Sequence, residues 1–347
     1  MATVRKTLTL ALQGGGSHGA FTWGVLDRLL EDGRVDIEGI GGASAGAVNA
    51  VVLANGYTAG GREGARDALQ RFWSTVSHRA TYGNLPAHPF VDSISAAMAD
   101  APPMLTSYLG LSRYLSPRQL NPLDRNPLRD VLAEQIDFER LRAECTLKLF
   151  VAATRVSTGT LKLFETKDVS LDAVLASACL PFFNKAVEID GVAYWDGGLT
   201  ANPPILPLIH HCEAHDLVAV LLQPQERAEA PVRADEIRER FTEIGLGASF
   251  YAEMQRIELA KEESSRNALP LLGRLDRRFR LLNMHVIAAP ALSNALSVQS
   301  KLNAHPSFVA RLHEEGREAA DLWLHENFEA LGRHSSWRLP AELRAHA

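Results

Sequence analysis

Residues 7–19 read TLTLALQGGGSHG, and the architecture follows from them. From Thr7 to Gln13 the run is largely apolar and carries no charge, as in a strand buried on both faces of a parallel sheet, and a glycine turn closes it at once. Past that turn Phe21, Val25, Leu26, Leu29 and Leu30 recur at helical spacing until Asp32-Gly33, where glycine supplies the stop. The unit then repeats: Asp36 to Gly42 reads as a second strand, Gly42-Ala43-Ser44-Ala45-Gly46 as a sharp turn, and Ala45 to Ala54 as a helix. Strand, helix, strand, helix implies an α/β protein with a parallel sheet and right-handed crossovers. It also places both glycine turns at the carboxyl ends of strands, where open α/β sheets keep their ligands.

The rest of the chain extends the same reading. Gly61 to Ser77 is expected to be helical, and the proline-punctuated apolar stretch from Tyr82 to Leu120 to form a cover over the site. Asn126-Pro127 opens a helix to about Ile136, with an N-cap and a proline in the first turn. Strands are expected at Leu147 to Thr154 and Leu161 to Thr166, and a helix at Leu171 to Ala178. A hairpin through Asp190-Gly191 then delivers Asp196-Gly197-Gly198. Val218 to Leu222 and His285 to Ala289 are further strands, and charged amphipathic helices fill Ala234 to Arg266 and Pro306 to Leu331. With no repeat and no linker, residues 1–225 read as a core with a cover insertion at about 80–122. Residues 226–347 read as a helical extension packed on the same domain.

Composition narrows the function. A formal charge of −5 in 347 residues gives no electrostatic case for nucleic acid. Three cysteines, Cys145, Cys179 and Cys212, show no CxxC pairing, so neither a disulfide framework nor a metal site is suggested, and a reducing compartment fits. The N-terminus passes directly into a short strand, too brief for a signal-peptide core or a spanning helix. The expectation is a cytoplasmic protein that needs no cofactor.

GxSxG is a weak pattern in isolation, and its context carries the reading. A strand before, a helix after and alanine at both variable positions suit a nucleophile, Ser44, held on a tight turn between Gly42 and Gly46. The first turn, Gly14-Gly15-Gly16-Ser17-His18-Gly19, offers backbone N–H groups at a helix start, where they can hold the oxyanion that attack creates. Gly14, Gly16 and Gly19 also satisfy the dinucleotide fingerprint, with Asp36 about twenty residues on. The ribose-binding acid belongs at the carboxyl end of the second strand, however, and Asp36 opens it.

Ser44 needs a base. One arrangement is a triad of Asp196 with His285, His305 or His313. The other sets Asp196 directly against Ser44. A carboxylate of ordinary pKa is a poor base at neutral pH, so this arrangement requires a desolvated site that raises it.

Gly14 to Gly19 with Ala20-Phe21, Gly42 to Ala47 with Asn49-Ala50, Ala176-Ser177 through Pro181, and Asp196-Gly197-Gly198 with Asn202-Pro203-Pro204 resemble the patatin-like phospholipases in order and spacing, over about Leu8 to Leu222. The resemblance implies a three-layer α/β/α fold with a mostly parallel central sheet, to which the residues after Gln223, beyond its reach, add C-terminal helices. It implies a Ser–Asp dyad of Ser44 and Asp196, with the Gly197-Gly198 pair completing the Asp motif, an oxyanion hole from Gly14, Gly15 and Gly16, and neither catalytic histidine nor metal. The implied activity is hydrolysis of lipid acyl esters, phospholipid or neutral, through an acyl-enzyme. One departure stands out: the family usually has Arg or Lys where this chain has His18. A constant charge beside the turn is thereby replaced by a possible modulator expected to titrate near neutrality.

A phospholipid substrate would require transient contact with a membrane surface. Met104 to Leu115 reads either as that contact or as a buried lid, and Arg274, Arg277, Arg278 and Arg280 either as a head-group site or as a solvated face. Two other functions fit the same residues: a Ser–His–Asp esterase on soluble esters, and a lipid-binding module whose chemistry is idle.

Overall fold

A computed structural model describes residues 5–82, 115–181, 183–224, 226–227, 229–266, 273–296 and 299–340. One mixed sheet of eight strands organises them: β1 Lys6–Leu12, β2 Val35–Ala43, β3 Lys148–Arg155, β4 Leu161–Glu165, β5 Val187–Ile189, β6 Val192–Asp196, β7 Asp216–Val220 and β8 Asn283–Ile287. Strands β3, β2, β1, β7 and β8 run parallel in that order, while β4 and β6 pair antiparallel with β3, and β5 with β6. The principal helices are α1 Gly19–Asp32, α2 Ala45–Tyr82, α3 Pro127–Gln135, α4 Phe138–Glu144, α5 Leu171–Ser177, α6 Leu206–His211, α7 Ala234–Arg266, α8 Arg274–Leu281, α9 Pro290–Ala295 and α10 Pro306–Asn327.

Alternation along the strands divides the helices into two layers. Leu8, Leu10 and Leu12 of β1 and Val218 and Val220 of β7 pack with α1, α2 and α10, whereas Ala11, Leu217 and Ala219 point the other way, onto α6 and α7. Each fully buried leucine in this arrangement contributes about 2–3 kcal/mol of transfer free energy. The three-layer α/β/α architecture therefore rests on a strand that is apolar on both faces.

Local chemistry sets the element boundaries. Asn126 caps α3, its side chain accepting from Leu128 N–H at 3.1 Å with Pro127 in the first turn. Asp190 and Gly191 both take positive φ, 51° and 74°, as a tight hairpin requires. The helices expected at 45–54 and 61–77 are both present within α2, which breaks between them where Gly60 and Gly61 leave helical geometry. Helix α4 is an addition to the sequence reading.

The segment after residue 225 does more than add helices, because β8 extends the sheet beside β7. The cover expected at 80–122 falls largely outside the described residues, as does the apolar stretch at 104–114. No helix among the described residues is long and apolar enough to cross a membrane.

Candidate active site

The two glycine turns leave the sheet from neighbouring strands and touch. Ser44 has φ of 54°, in the left-handed region, which turns its side chain out of the chain between β2 and α2. A Cβ on Gly46 would stand 2.1 Å from the Leu12 carbonyl oxygen, so α2 starts directly on the end of β1. A Cβ on Gly14 would stand 2.8 Å from that of Ser44, so the first turn passes flush against the second. Ser44 N–H donates to Ser177 Oγ at 3.0 Å, which fixes the bend from the start of the α5 exit.

Strand β3 brings the carboxylate to the serine. Ala43 pairs with Ala152, and Asp196 pairs with the next residue, Ala153. Because β4 occupies the other edge of β3 along this stretch, β6 takes up the same edge that β2 has just left. Asp196 N–H donates to the Cys179 carbonyl at 2.8 Å, and Thr154 Oγ1 donates to the Asp196 carbonyl at 2.8 Å. The carboxylate is almost wholly out of solvent. Its Oδ1 accepts from Gly198 N–H at 2.7 Å, while Oδ2 is buried with no hydrogen-bond partner among the described residues. Burial pushes its pKa up to about 6, opposed by the Ser44 hydroxyl, the Gly198 N–H and the charge of Lys301.

The first turn divides its donors. Gly14 N–H donates to Asn202 Oδ1 at 2.7 Å, so it is taken up within the protein. Gly15 and Gly16 N–H make no hydrogen bond among the described residues and are the free donors of the turn. Gly16 has φ of 58°, and a Cβ there would also stand 2.3 Å from the Lys301 carbonyl oxygen. His18, behind the turn, is buried, with Nε2 2.7 Å from Ser300 Oγ. Burial, assisted by Lys301 and Arg311, pushes its pKa down to about 3, so it is neutral throughout the working range. The expectation that it titrates near neutrality is corrected on that ground.

A family profile described as "Patatin-like phospholipase" matches residues 10–209, more than half of the chain and the span that holds both turns and Asp196. The chain belongs to the patatin-like phospholipase family. Among solved structures it is similar to VipD from Legionella pneumophila, at 16% identity and a TM-score of 0.43, over 92% of this chain and 67% of that one. It is also similar to the heterodimeric ExoU–SpcU complex of the Pseudomonas aeruginosa type III secretion system, at 15% identity and a TM-score of 0.40. That match takes in 94% of this chain but only about half, 53%, of the other. No curated protein sequence matches.

In this patatin-like chain the late histidines are committed elsewhere. His285 is wholly buried on β8, with Nδ1 2.8 Å from Ser336 Oγ and Nε2 3.1 Å from Asp216 Oδ1. His305 caps α10 by accepting from Ser307 N–H at 3.3 Å, and His313 lies 3.5 Å from Asp27, a carboxylate of α1 held by Arg66 and Arg317. None of the three is bonded to Asp196. Asp36 lies at the start of β2, bonded to Arg62 at 2.6 Å, away from the end where a dinucleotide would bind.

Of the arginines read as a head-group site or a solvated face, Arg278 is buried and bonded to the Ile209 carbonyl and to Glu213, whereas Arg277 and Arg280 are exposed. Among the described residues no three His, Cys, Asp or Glu side chains gather as a metal site would require. Three supporting roles escaped sequence reading. Gln13 accepts from Leu222 and Gln223 N–H and donates to the Asn202 carbonyl. Asn202 donates through Nδ2 to the Leu246 carbonyl, and Ser177 holds Ser44. Only their place inside the family motifs, for Asn202 and Ser177, could have drawn notice. A cavity of about 750 Å³, whose lining includes Gln13, Gln223, Arg227, Arg240, Glu243 and Tyr251, adjoins the site through Gln13 and is lined by neither Ser44 nor Asp196.

Proposed function

We propose that this protein is a lipid acyl hydrolase that works through an acyl-enzyme on Ser44. Ser44 Oγ attacks the ester carbonyl while Asp196 takes its proton; the Gly15 and Gly16 N–H groups hold the oxyanion, and the protonated carboxyl returns its proton to the leaving alcohol. Water then attacks the acyl-serine with the same carboxylate as base, releasing the fatty acid. The observation that carries this reading is the buried, half-satisfied Asp196 carboxylate, raised towards neutrality and placed one strand position beyond the serine turn. Such a group is costly to keep, and an idle lipid-binding fold has no need of it. Its substrate class is an acyl lipid or a simple acyl ester.

The test is mass spectrometry of the protein quenched during turnover of a p-nitrophenyl acyl ester, with steady-state rates for Ser44→Ala and Asp196→Asn. The expected result is an acyl adduct on the Ser44 peptide of the wild type and loss of turnover in both variants. Hydrolysis that survives Ser44→Ala would overturn the mechanism.

A further inference from the structure

Lys301 stands on a short 3₁₀ turn, Gln299–Leu302, packed against the glycine turn. Two contacts fix it there: the Lys301 carbonyl closes on Gly16, and Ser300 Oγ meets His18 Nε2 at 2.7 Å. The residue as a whole is partly exposed, yet its ammonium is shut off from solvent and has no hydrogen-bond partner among the described residues. A buried ammonium without an acceptor is costly, and proteins keep such a group chiefly where a ligand completes it.

The charged groups around it do not provide that completion. Glu243 of α7 is bonded to both Arg227 and Arg240, and Asp196 Oδ1 accepts from Gly198 N–H. Glu239, also on α7, acts on Lys301 only through its field, Arg311 of α10 is a like charge near His18, and His18 itself is neutral. The carbonyl and Cβ of Lys301 lie against Gly16, whose N–H, with that of Gly15, is a free donor of the turn.

We propose that Lys301 is the anion-binding group of this site, its ammonium meeting the negative charge that forms on the substrate carbonyl oxygen at the Gly15–Gly16 turn. The inference rests on the acyl-enzyme reading above. Position 18 brings no charge to the turn; the C-terminal segment places Lys301 there instead, its pKa lowered by burial and held up by the fields of Glu243, Asp196 and Glu239. The same charge acts on Asp196, whose proton affinity it lowers. Lys301 thus serves both the oxyanion and the base.

The experiment compares wild type, Lys301→Met, Lys301→Arg and Ser44→Ala on p-nitrophenyl butyrate and on a phosphatidylcholine vesicle between pH 5 and 9. Melting curves, and labelling by an alkyl fluorophosphonate in which Ser44 Oγ displaces fluoride from phosphorus, accompany the rates. Lys301→Met is expected to lower kcat on the neutral ester about 10–100-fold with KM within about twofold, since the lost interaction forms only in the transition state. It should also move the acid limb of the rate profile to higher pH, because the carboxylate loses its neighbouring cation. Lys301→Arg should keep most of kcat and the position of the limb, and Lys301→Met should melt no lower than wild type.

A Lys301→Met enzyme within about twofold of wild type overturns the proposal. So does an equal loss in both Lys301 variants with the acid limb unmoved, which marks a packing role. A rise in KM confined to the phospholipid overturns it too, by marking a head-group site. Lys301→Met that hydrolyses at the wild-type rate while Ser44→Ala is inactive and unlabelled defeats Lys301 alone, whereas activity in Ser44→Ala defeats the serine reading and the proposal with it.

Discussion

Gly14 N–H gives its hydrogen bond to Asn202 Oδ1 at 2.7 Å, which ties the first glycine turn to the loop that follows Asp196. Asn202 also donates to the Leu246 carbonyl at 3.1 Å, so α7 is clamped into the same junction. The amide therefore holds together three segments far apart in the chain, and it takes up the N–H of the first glycine while leaving the next two free.

Replacing Asn202 by alanine leaves the buried Gly14 N–H unpaired and removes the side-chain bond to the Leu246 carbonyl, which keeps its place within α7. The expected cost is about 2–4 kcal/mol in a denaturant titration, with a fall in kcat as the Gly14–Gly16 turn loosens. A loss under about 0.5 kcal/mol would show that the junction is held by other contacts.

Asp196→Asn should separate activity from stability. Loss of the base should lower kcat at least about 10²-fold. The folded pKa of Asp196, about 6, lies above its unfolded value near 3.8, so the ionised carboxylate costs stability above pH 6, and that cost fades as pH falls through 6 towards 4. The asparagine variant should therefore be the more stable protein at pH 8, by on the order of 1–3 kcal/mol, and keep little of that advantage at pH 4. Unfolding curves at the two pH values decide it.

The profile of kcat/KM against pH should show a single acid limb near pH 6, set by Asp196 in the free enzyme. His18→Gln should leave that limb where it is, because a buried imidazole with pKa near 3 carries no charge in the range. A shift of the limb in this variant would mean that His18 titrates beside the turn after all.

Gly46→Ala should cost about 3 kcal/mol or more, since its Cβ would stand 2.1 Å from the Leu12 carbonyl oxygen. Gly245→Ala is the contrast: this exposed position inside α7 has nothing within 4 Å of the added methyl, and the change should stabilise by about 0.5–1 kcal/mol. Thermal melts of the two proteins give opposite signs if the turn is as tight as described.

Much of this molecule was legible in its sequence because much of it is specified locally. Unbroken apolar strands, a helix-period stripe ended by Gly33, the Asn126-Pro127 cap and the Asp190-Gly191 turn each depend on a few adjacent residues, and the corresponding elements lie within a few positions of expectation. Ser44 and Asp196 were visible for the same reason, standing at strand ends beside small residues. The short helix α4 was less so, because its few residues carry no hydrophobic period of their own.

The sequence by itself determined the succession of strands and helices in the core, the two turns and the residues at their tips. Tertiary structure alone decided which edge of β3 carries Asp196, how far burial raises its pKa, that Asn202 takes up Gly14 N–H, that His18 is neutral, and that Lys301 arrives beside Gly16. The physical reason is range. Turn and strand preferences are set by steric contacts between neighbours in the chain, whereas desolvation, hydrogen-bond partners and electric fields are set by whatever the fold packs alongside, however distant in sequence.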